Sequence, residues 1–152
     1  MRRDGQIILK LYYPNENIIS DPLDMVNISI GLSMYQGNCE TIFFTGMKDS
    51  QEKDIFEYDV YRQETDDGDE IFENYYIVTW VKEWGIFAAL DAYEFYKYKT
   101  KGAEELDEIM FWTFILDEVN ERSIIGSLLT NKDKFTRLTG VNFTNELIFG
   151  NK

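Results

Sequence analysis

Two acidic side chains near the middle of the chain have the types and spacing that point most directly to chemistry. Glu57 and Asp59 stand two positions apart within a run of strand-forming residues from Ile55 to Tyr61. Alternate side chains of a strand lie on the same face, so these two carboxylates are expected to share one face. Such a pair can act as general acid and base, or it can bind a divalent cation. The alternative, which we favour, is a solvated face on which Asp59 stabilises a turn.

The other familiar chemistries are disfavoured by the residues that the chain lacks. There is no histidine, which excludes triads that use a histidine base and zinc sites that use histidine ligands. Cys39 is the single cysteine, and the neighbouring Glu40 raises its thiol pKa, which disfavours a nucleophilic role. The glycines are scattered, so no phosphate-binding loop is present. We predict no catalytic residue, no metal site and no cofactor, and we expect that the protein is not an enzyme.

The charge balance is strongly acidic. There are 28 Asp and Glu against 15 Lys and Arg, a formal net charge of −13, which argues against direct binding of nucleic acid. Six of the acidic residues lie between Glu64 and Glu73, and their repulsion predicts an exposed loop there. The loop lacks the ligand spacing of an EF-hand. Hydrophobic residues make up 44% of the chain, enough to form a core.

The elements that must position these residues are mostly short strands. Turn residues recur every ~8–12 positions between runs of β-branched and aromatic residues, which predicts a mainly β fold, a small barrel or sandwich with little helix. Asp21 and Pro22 fit the start of a short helix. The apolar residues of the run 91–101 fit both the period of a helix and the period of a strand. The segment from Thr136 to Phe149 is amphipathic but shows neither period clearly. The predicted strands are Ile7–Tyr13, Thr41–Thr45, Ile55–Tyr61, Tyr75–Val81, Ile86–Leu90, Phe111–Leu116 and Ser123–Leu129.

Aromatic side chains are concentrated around the predicted hairpin at residues 75–90. Alternation places Tyr76 and Trp80 on one face of its first strand, and Trp84 lies in the turn. If that strand lies at the outside of the sheet, one of its faces is open to a partner, and Tyr76, Trp80 and Trp84 are the candidate interface residues. Core packing on one face with ordinary exposed tyrosines on the other is an equally good interpretation.

No segment has the features of a targeting signal or a membrane span. The apolar run after Arg2 and Arg3 is short and interrupted by Lys10, unlike a signal peptide. No stretch reaches the ~20 apolar residues that a membrane helix needs. A single thiol is typical of a reducing compartment. We therefore expect a cytoplasmic protein with no membrane partner.

Several segments follow one another in an order that carries a resemblance. They are Leu9–Tyr13, Phe44–Asp49, Lys53–Val60, Val78–Trp80 with Gly85–Phe87, and Ile124–Leu129. This order resembles the motif of the YopX family of phage and prophage proteins, and the match covers about residues 41–135. The family has a glycine where this chain has Tyr58, an asparagine–glycine turn where it has Gln51 and Glu52, and an asparagine–proline where it has Thr130 and Asn131.

The resemblance implies a fold and an origin but no activity. It implies a small SH3-like β-barrel over residues 41–152, preceded by an N-terminal strand and arm over residues 1–40, which either packs on the barrel or forms a separate arm. It supplies no catalytic residue. Physical reasoning gives the matching residues structural roles: a glycine with positive φ, and carboxylates that accept hydrogen bonds from turn amides. These structural residues are Thr45, Gly46, Asp49, Glu57, Asp59 and Gly126.

Three functions compete. The first is a phage or prophage accessory protein of unknown biochemical activity that acts in the bacterial host through protein–protein contact, as a homo-oligomer or with a host or phage protein. The second is an acidic mimic of DNA that inhibits a host nuclease or DNA-binding protein, since a charge of −13 attracts basic clefts. The third is a carboxylate–metal enzyme that uses Glu57 and Asp59. We favour the first.

Overall fold

The computed structural model describes residues 8–24, 39–66, 68–106 and 123–150. Of these residues, 45% lie in strands and 23% in helices, so the predicted mainly β fold with little helix is confirmed. The strands form two antiparallel sheets in a curled, half-barrel arrangement. The predicted strand Phe111–Leu116 lies outside the described residues. No helix within the described ranges is long and apolar enough to cross a membrane.

The first sheet contains the N-terminal strand in its interior. Its strands are β1 (Ile8–Tyr13), β2 (Ile18–Ile19), β3 (Leu23–Asp24), β4 (Glu40–Lys48) and β5 (Asp54–Phe56), in the order β2-β1-β4-β5 with β3 also paired to β1. Tyr12 lies opposite Glu40 in the β1–β4 pair, so residues 8–24 belong to the same sheet as residues 40–48. The predicted short helix at Asp21 and Pro22 is wrong, because Leu23 pairs with Leu9 in a strand instead.

A β-bulge in β4 allows the strand to continue past Gly46. Gly46 has φ 85°, as a positive-φ glycine should, but the strand continues beyond it to Lys48. Phe44 lies opposite Phe56 and Lys48 opposite Asp54, so the β4 side has extra residues between the two pairs. The prediction that the strand ends at Gly46 is therefore wrong, since the glycine absorbs the extra residues of the bulge.

The second sheet contains the predicted hairpin. Its strands are β6 (Asp59–Asp66), β7 (Ile71–Val81), β8 (Ile86–Asp91) and β9 (Ile124–Ser127), in the order β8-β7-β6-β9. The β7–β8 hairpin is confirmed, and Gly85 closes its turn with φ 64°. The premise that β7 is an outer strand is wrong. It lies between β6 and β8, and Ile77, Val78 and Thr79 are at most 2% exposed, so both faces are covered there.

The two strands on either side of the predicted acidic loop, β6 and β7, are longer than expected. The predicted loop at 64–73 is wrong, because β6 and β7 pair continuously up to Asp66 opposite Ile71. Glu64 and Glu73 lie directly opposite each other, and the guanidinium of Arg62 lies 3.5 Å from each of their carboxylates. All three side chains are well exposed, so water and Arg62 screen the repulsion that predicted a loop.

Within the described ranges, three α-helices and one 3-10 turn cover the sheets. They are α1 (Ala92–Lys101), a 3-10 turn (Ala103–Glu105), α2 (Lys132–Thr139) and α3 (Asn145–Phe149). The run 91–101 is helical because Asp91 caps it, with its carboxylate 2.8 Å from the Glu94 amide, and because Phe95 and Tyr98 then face the core. Each fully buried aromatic or aliphatic side chain contributes about 2 kcal/mol to folding. The core joins both sheets to the helices through Tyr12, Ile42, Phe56, Val60, Ile77, Leu90, Phe95, Phe135, Phe143 and Ile148.

Candidate functional site

The two sheets meet at a tight corner formed by Glu57 and Tyr58, between β5 and β6. The Glu57 amide donates to the Phe43 carbonyl (2.9 Å), and the Tyr58 amide donates to the Val78 carbonyl (2.7 Å). Tyr58 has φ 70°. The predicted continuous strand from Ile55 to Tyr61 is therefore wrong, and so is the placing of Glu57 and Asp59 on one strand face.

Glu57 lies in a buried, charged environment. Burial raises the pKa of its carboxyl to about 7, while the ammonium of Lys99 and the backbone amides of Trp80 and Phe43 oppose that rise. Lys99 comes from the last turn of α1, and burial lowers the pKa of its ammonium in turn. Its Nζ atom lies 5.5–5.7 Å from the ring centroids of Phe95, Tyr58 and Tyr98. The carboxyl is thus held beside one buried cation in an aromatic setting.

Asp59 has different neighbours from Glu57. One of its carboxylate oxygens accepts from the Phe56 amide at 2.8 Å, as expected for a turn-stabilising aspartate. Burial raises the pKa of this carboxyl to about 7. The Phe56 hydrogen bond and the charge of Lys10 oppose the rise, and the charge of Asp49 adds to it. Glu57 and Asp59 therefore have different cations beside them, which is unlike a shared acid–base or metal pair.

Asp49 connects the turn after β4 to the distant strand β9. One oxygen accepts from the amides of Gln51 (2.8 Å) and Lys53 (3.0 Å), and the other accepts from the Ile124 amide (3.0 Å). Burial disfavours ionisation of this carboxyl, but the three hydrogen bonds and the charge of Lys53 outweigh it and lower its pKa. The backbone bonds expected of Asp49 are observed. The bond to Ile124 was not expected, since no sequence pattern connects residues 75 positions apart.

The remaining motif residues lie around the same junction. The Thr45 hydroxyl donates to the Ile55 carbonyl at 2.8 Å and holds β5 against the bulge. Gly126 lies opposite Val60 in the β6–β9 pair, with φ 153°. A Cβ atom there would lie 3.3 Å from the side-chain nitrogen of Asn131, so this position favours glycine on two counts. The structure brings Thr45, Asp49, Asp59 and Gly126 together around β5 and β9, whereas Glu57 faces Lys99.

One position in this junction is strained in a way that a substitution can test. Glu52 is exposed and has φ 62°, a conformation that costs an L-residue about 1 kcal/mol. We expect Glu52→Gly to raise the free energy of unfolding by about 0.5–1 kcal/mol, since relief of strain exceeds the added entropy of the unfolded chain. Urea denaturation measures the change. Gln51→Gly is the matched control, because the neighbouring residue Gln51 has no positive φ, and this variant should destabilise the protein. Equal changes in stability for the two variants would contradict the claim that Glu52 is strained.

The three candidate interface aromatics differ in their contacts and in their exposure. Tyr76 stacks on Tyr61, with centroids 5.2 Å apart, and is half-buried. Trp80 contacts Phe87 edge-on at 4.9 Å and is 37% exposed. These two share a face of β7, but Val78 between them is fully buried, so the face is covered there. Trp84 lies in the following turn and is 38% exposed.

A different exposed surface was missed by the sequence reasoning. Residues 62–66 of β6 and 71–75 of β7, with their connecting turn, form what we name the acidic ribbon. Its turn contains Gly68 with φ 97°, whose amide donates to the Asp66 carboxylate at 2.9 Å. The Asp67-Gly68 pair is a hairpin signal in the sequence, and the density of acidic residues concealed it. Along the β7 side, residues 71–74 are all exposed.

Within the described residues, no group of three or more Asp, Glu or Cys side chains is placed to bind a metal ion. Burial, aided by the charge of Glu40, raises the pKa of the Cys39 thiol, which disfavours the reactive thiolate.

No family model matches the chain, and no curated protein sequence does so either.

Proposed function

We propose that this chain is an accessory protein of phage or prophage type that acts through protein–protein contact, with the acidic ribbon as its contact surface. The partner is a protein with a basic groove that has apolar pockets. The observation that carries the proposal is a two-stranded ribbon that, within the described residues, extends beyond the strands on either side of it.

Among the residues that the structure describes, no strand pairs with either edge of the ribbon, and Tyr75 at its base packs against Phe135. In the described part of the chain, β9 pairs with β6 only at residues 59–61, and β8 pairs with β7 only at residues 76–81. Ile71 is 67% exposed and Phe72 is 45% exposed. A two-stranded ribbon is marginally stable in water, and exposed large apolar side chains mark contact sites. Its exposed strand edges can also accept a further strand from a partner.

The charges of the ribbon favour a basic partner. Glu64 and Glu73 share one face as a cross-strand pair, and Asp66 and Ile71 follow them on the same face. Arg62 is the single cation among these positions. On the opposite face, Phe72 lies across from Thr65. The acidic face would steer a basic partner by long-range attraction, and Ile71 and Phe72 would supply the apolar contact.

The phage-type part of the proposal rests on the YopX resemblance, which two backbone angles support. The family has glycine at two positions where this chain has Glu52 and Tyr58. Both residues have positive φ here, 62° and 70°. Glycine is the residue that adopts such angles at no steric cost. The turns therefore have the geometry that the glycine pattern of the family implies. An SH3-like topology of the barrel is part of this proposal.

The proposal is tested by cross-linking and by paired substitutions on the ribbon. A photoreactive phenylalanine analogue in place of Phe72 should cross-link one partner protein in the bacterial host, and the same analogue in place of the exposed Ile18, on β2 of the other sheet, should not. The Ile71→Ser, Phe72→Ser double variant should weaken binding of the purified partner about 30-fold, typical of lost hot-spot residues, with an unchanged melting temperature. Equal cross-linking from both positions, or undiminished affinity, would rule out the ribbon as the contact surface. Sedimentation would show self-association if the partner is a second copy.

A mimic of DNA is the second candidate, favoured by the row of carboxylates on the ribbon. Glu64, Asp66 and Glu73 present negative charge at regular strand spacing on one face, as a nucleic-acid backbone does. If this function is correct, duplex DNA should displace the chain from its partner, and affinity should fall steeply with salt. Glu64→Gln with Glu73→Gln should then weaken binding more than Ile71→Ser with Phe72→Ser; the reverse order would favour the apolar contact.

A further inference from the structure

A cleft separate from the acidic ribbon is formed where β1, β5 and β9 meet. Its volume is about 530 Å³, within the range of sites that bind small molecules. Lys10 of β1, Lys53 of the turn before β5, and Asp59 with Ser127 supply its polar groups. Phe56, Ile124 and Ile125 supply its apolar wall.

The cations of this cleft stand out in a chain with a net charge of −13. Two of its four charged side chains are lysines, Lys10 and Lys53. Of the two acidic side chains, Asp54 forms an ion pair with Lys48 at 3.7 Å. Asp59 accepts from the Phe56 amide, and burial raises the pKa of its carboxyl to about 7. Near neutral pH the cleft therefore offers two ammonium groups, and Asp49, which interacts with Lys53 and Asp59, is the main negative charge left beside them.

The walls suit a ligand with a flat apolar part. The ammonium of Lys10 lies over the Phe56 ring, 4.1 Å from its centroid, and Phe56 is only 2% exposed, so the apolar contact with a ligand falls to Ile124 and Ile125. Ile125 is 42% exposed at the edge of the cleft. The Ser127 hydroxyl oxygen accepts from the Leu129 amide at 3.3 Å, which leaves its hydrogen free to be donated.

We propose that this cleft is a binding site for a small organic anion with an apolar body, held by Lys10 and Lys53 through its charge and by Ile124 and Ile125 through its apolar part. Neither the resemblance nor the proposed partner contact assigns a ligand to it. The site stands independently of the ribbon, so either proposal can fail alone.

The cleft binds such an anion more tightly at lower pH. Asp59 is faced by Lys10 and Asp49, and Lys53 and Asp54 also line the cleft. When the Asp59 carboxyl is protonated it no longer repels an anion, and it gains a hydrogen to donate. Binding therefore takes up a proton, and affinity falls as pH rises through about 7.

Nuclear magnetic resonance titration with benzoate tests the site. Benzoate stays ionised between pH 6 and 8.5, and its amide, benzamide, is the uncharged control. We expect benzoate to shift the backbone amide signals of Gly126 and Ser127 with millimolar affinity, about 5-fold tighter at pH 6 than at pH 8.5. Benzamide should shift them little. Lys53→Met should lower the affinity for benzoate at least 5-fold, whereas Lys134→Met, which lies outside the cleft, should leave the affinity unchanged.

Asp59→Asn gives a second readout that does not depend on loss of binding. Asparagine retains an oxygen to accept from the Phe56 amide but has no charge, so the benzoate affinity of this variant should be the same at pH 6 and pH 8.5. Equal shifts from benzoate and benzamide, undiminished affinity in Lys53→Met, or the same pH dependence in Asp59→Asn would each overturn the proposal.

Discussion

Replacing Lys99 with methionine is expected to destabilise the protein by about 3 kcal/mol at pH 8.5 and by little at pH 5. Glu57 is mostly ionised at the higher pH, because its pKa is about 7, and it would then be a buried charge without its cation. Lys99 favours the ionised Glu57 carboxyl through its charge, so we take the lower end of the roughly 3–5 kcal/mol that loss of one partner of a buried pair costs. At pH 5 the Glu57 carboxyl is neutral, so the methionine removes a cation whose remaining acidic neighbour is Glu83.

The unsubstituted chain should itself show the underlying pH dependence. Between about pH 4.5 and 7 the folded state keeps a proton on Glu57 that the unfolded state has lost, so this carboxyl lowers stability as pH rises through that window. Asp59, with its pKa also raised to about 7, acts in the same direction. Lys99→Met raises the folded pKa of Glu57 further and extends the decline to higher pH.

Urea denaturation at pH 5 and pH 8.5 measures both effects. Lys101→Met is the matched control, since it lies two residues further along α1 and is exposed. If Lys99→Met lowers the free energy of unfolding equally at the two pH values, the aliphatic part of Lys99, not its charge, stabilises this corner. A comparable loss for Lys101→Met would point to the helix end instead.

The second large effect is expected at Asp49. Asp49→Ala removes the acceptor for the amides of Gln51, Lys53 and Ile124, and so it separates the turn after β4 from β9. A hydrogen-bond donor left unsatisfied costs about 1–3 kcal/mol when it is buried. Because the turn is partly open to water, we expect a total loss of about 3 kcal/mol at pH 7.

A graded series separates the contributions of charge and of hydrogen bonding at Asp49. Asp49→Asn keeps one acceptor oxygen and should lose about half as much stability as Asp49→Ala, and Asp21→Ala, at an exposed aspartate, should lose almost none. The folded pKa of Asp49 is lowered, so its ionised form contributes stability above its unfolded pKa and that contribution disappears as pH falls through the folded value. The difference in stability between the unsubstituted chain and the Asp49→Asn variant should therefore shrink in acid. A constant difference from pH 7 to pH 2.5 would contradict an ionised Asp49.

The sequence by itself determined the strands whose residues interact locally. The β7–β8 hairpin follows from alternating apolar residues and a four-residue turn, and both are properties of neighbouring positions. The opening strand and the turn at Pro14–Asn17 are of the same kind, and Asn17 has the positive φ (54°) expected of a turn asparagine. The mainly β class follows from the number of such segments.

Contacts between distant residues decided the secondary structure of the segments for which the local sequence pattern was ambiguous or misleading. The run 91–101 fitted either period, and it is a helix because Phe95 and Tyr98 are buried against the sheets. The strand from Ile55 to Tyr61 breaks at Glu57 because the amides of this corner bond to Phe43 and Val78 on two different sheets. No local propensity contains that information, because tertiary hydrogen bonding and burial override it.

The same distinction applies to the candidate sites. The types of the important residues were visible in the sequence: Asp49 and Asp59 were expected to bond turn amides, and both do. The groups that surround these residues were not visible in the sequence. The fold brings distant chain segments together, and this decides whether a carboxyl lies beside Lys99 or beside Lys10. It also decides whether an acidic run is a loop or a paired ribbon. Burial and charge act through space, so only the tertiary structure could place the two buried carboxyls apart and leave the ribbon exposed.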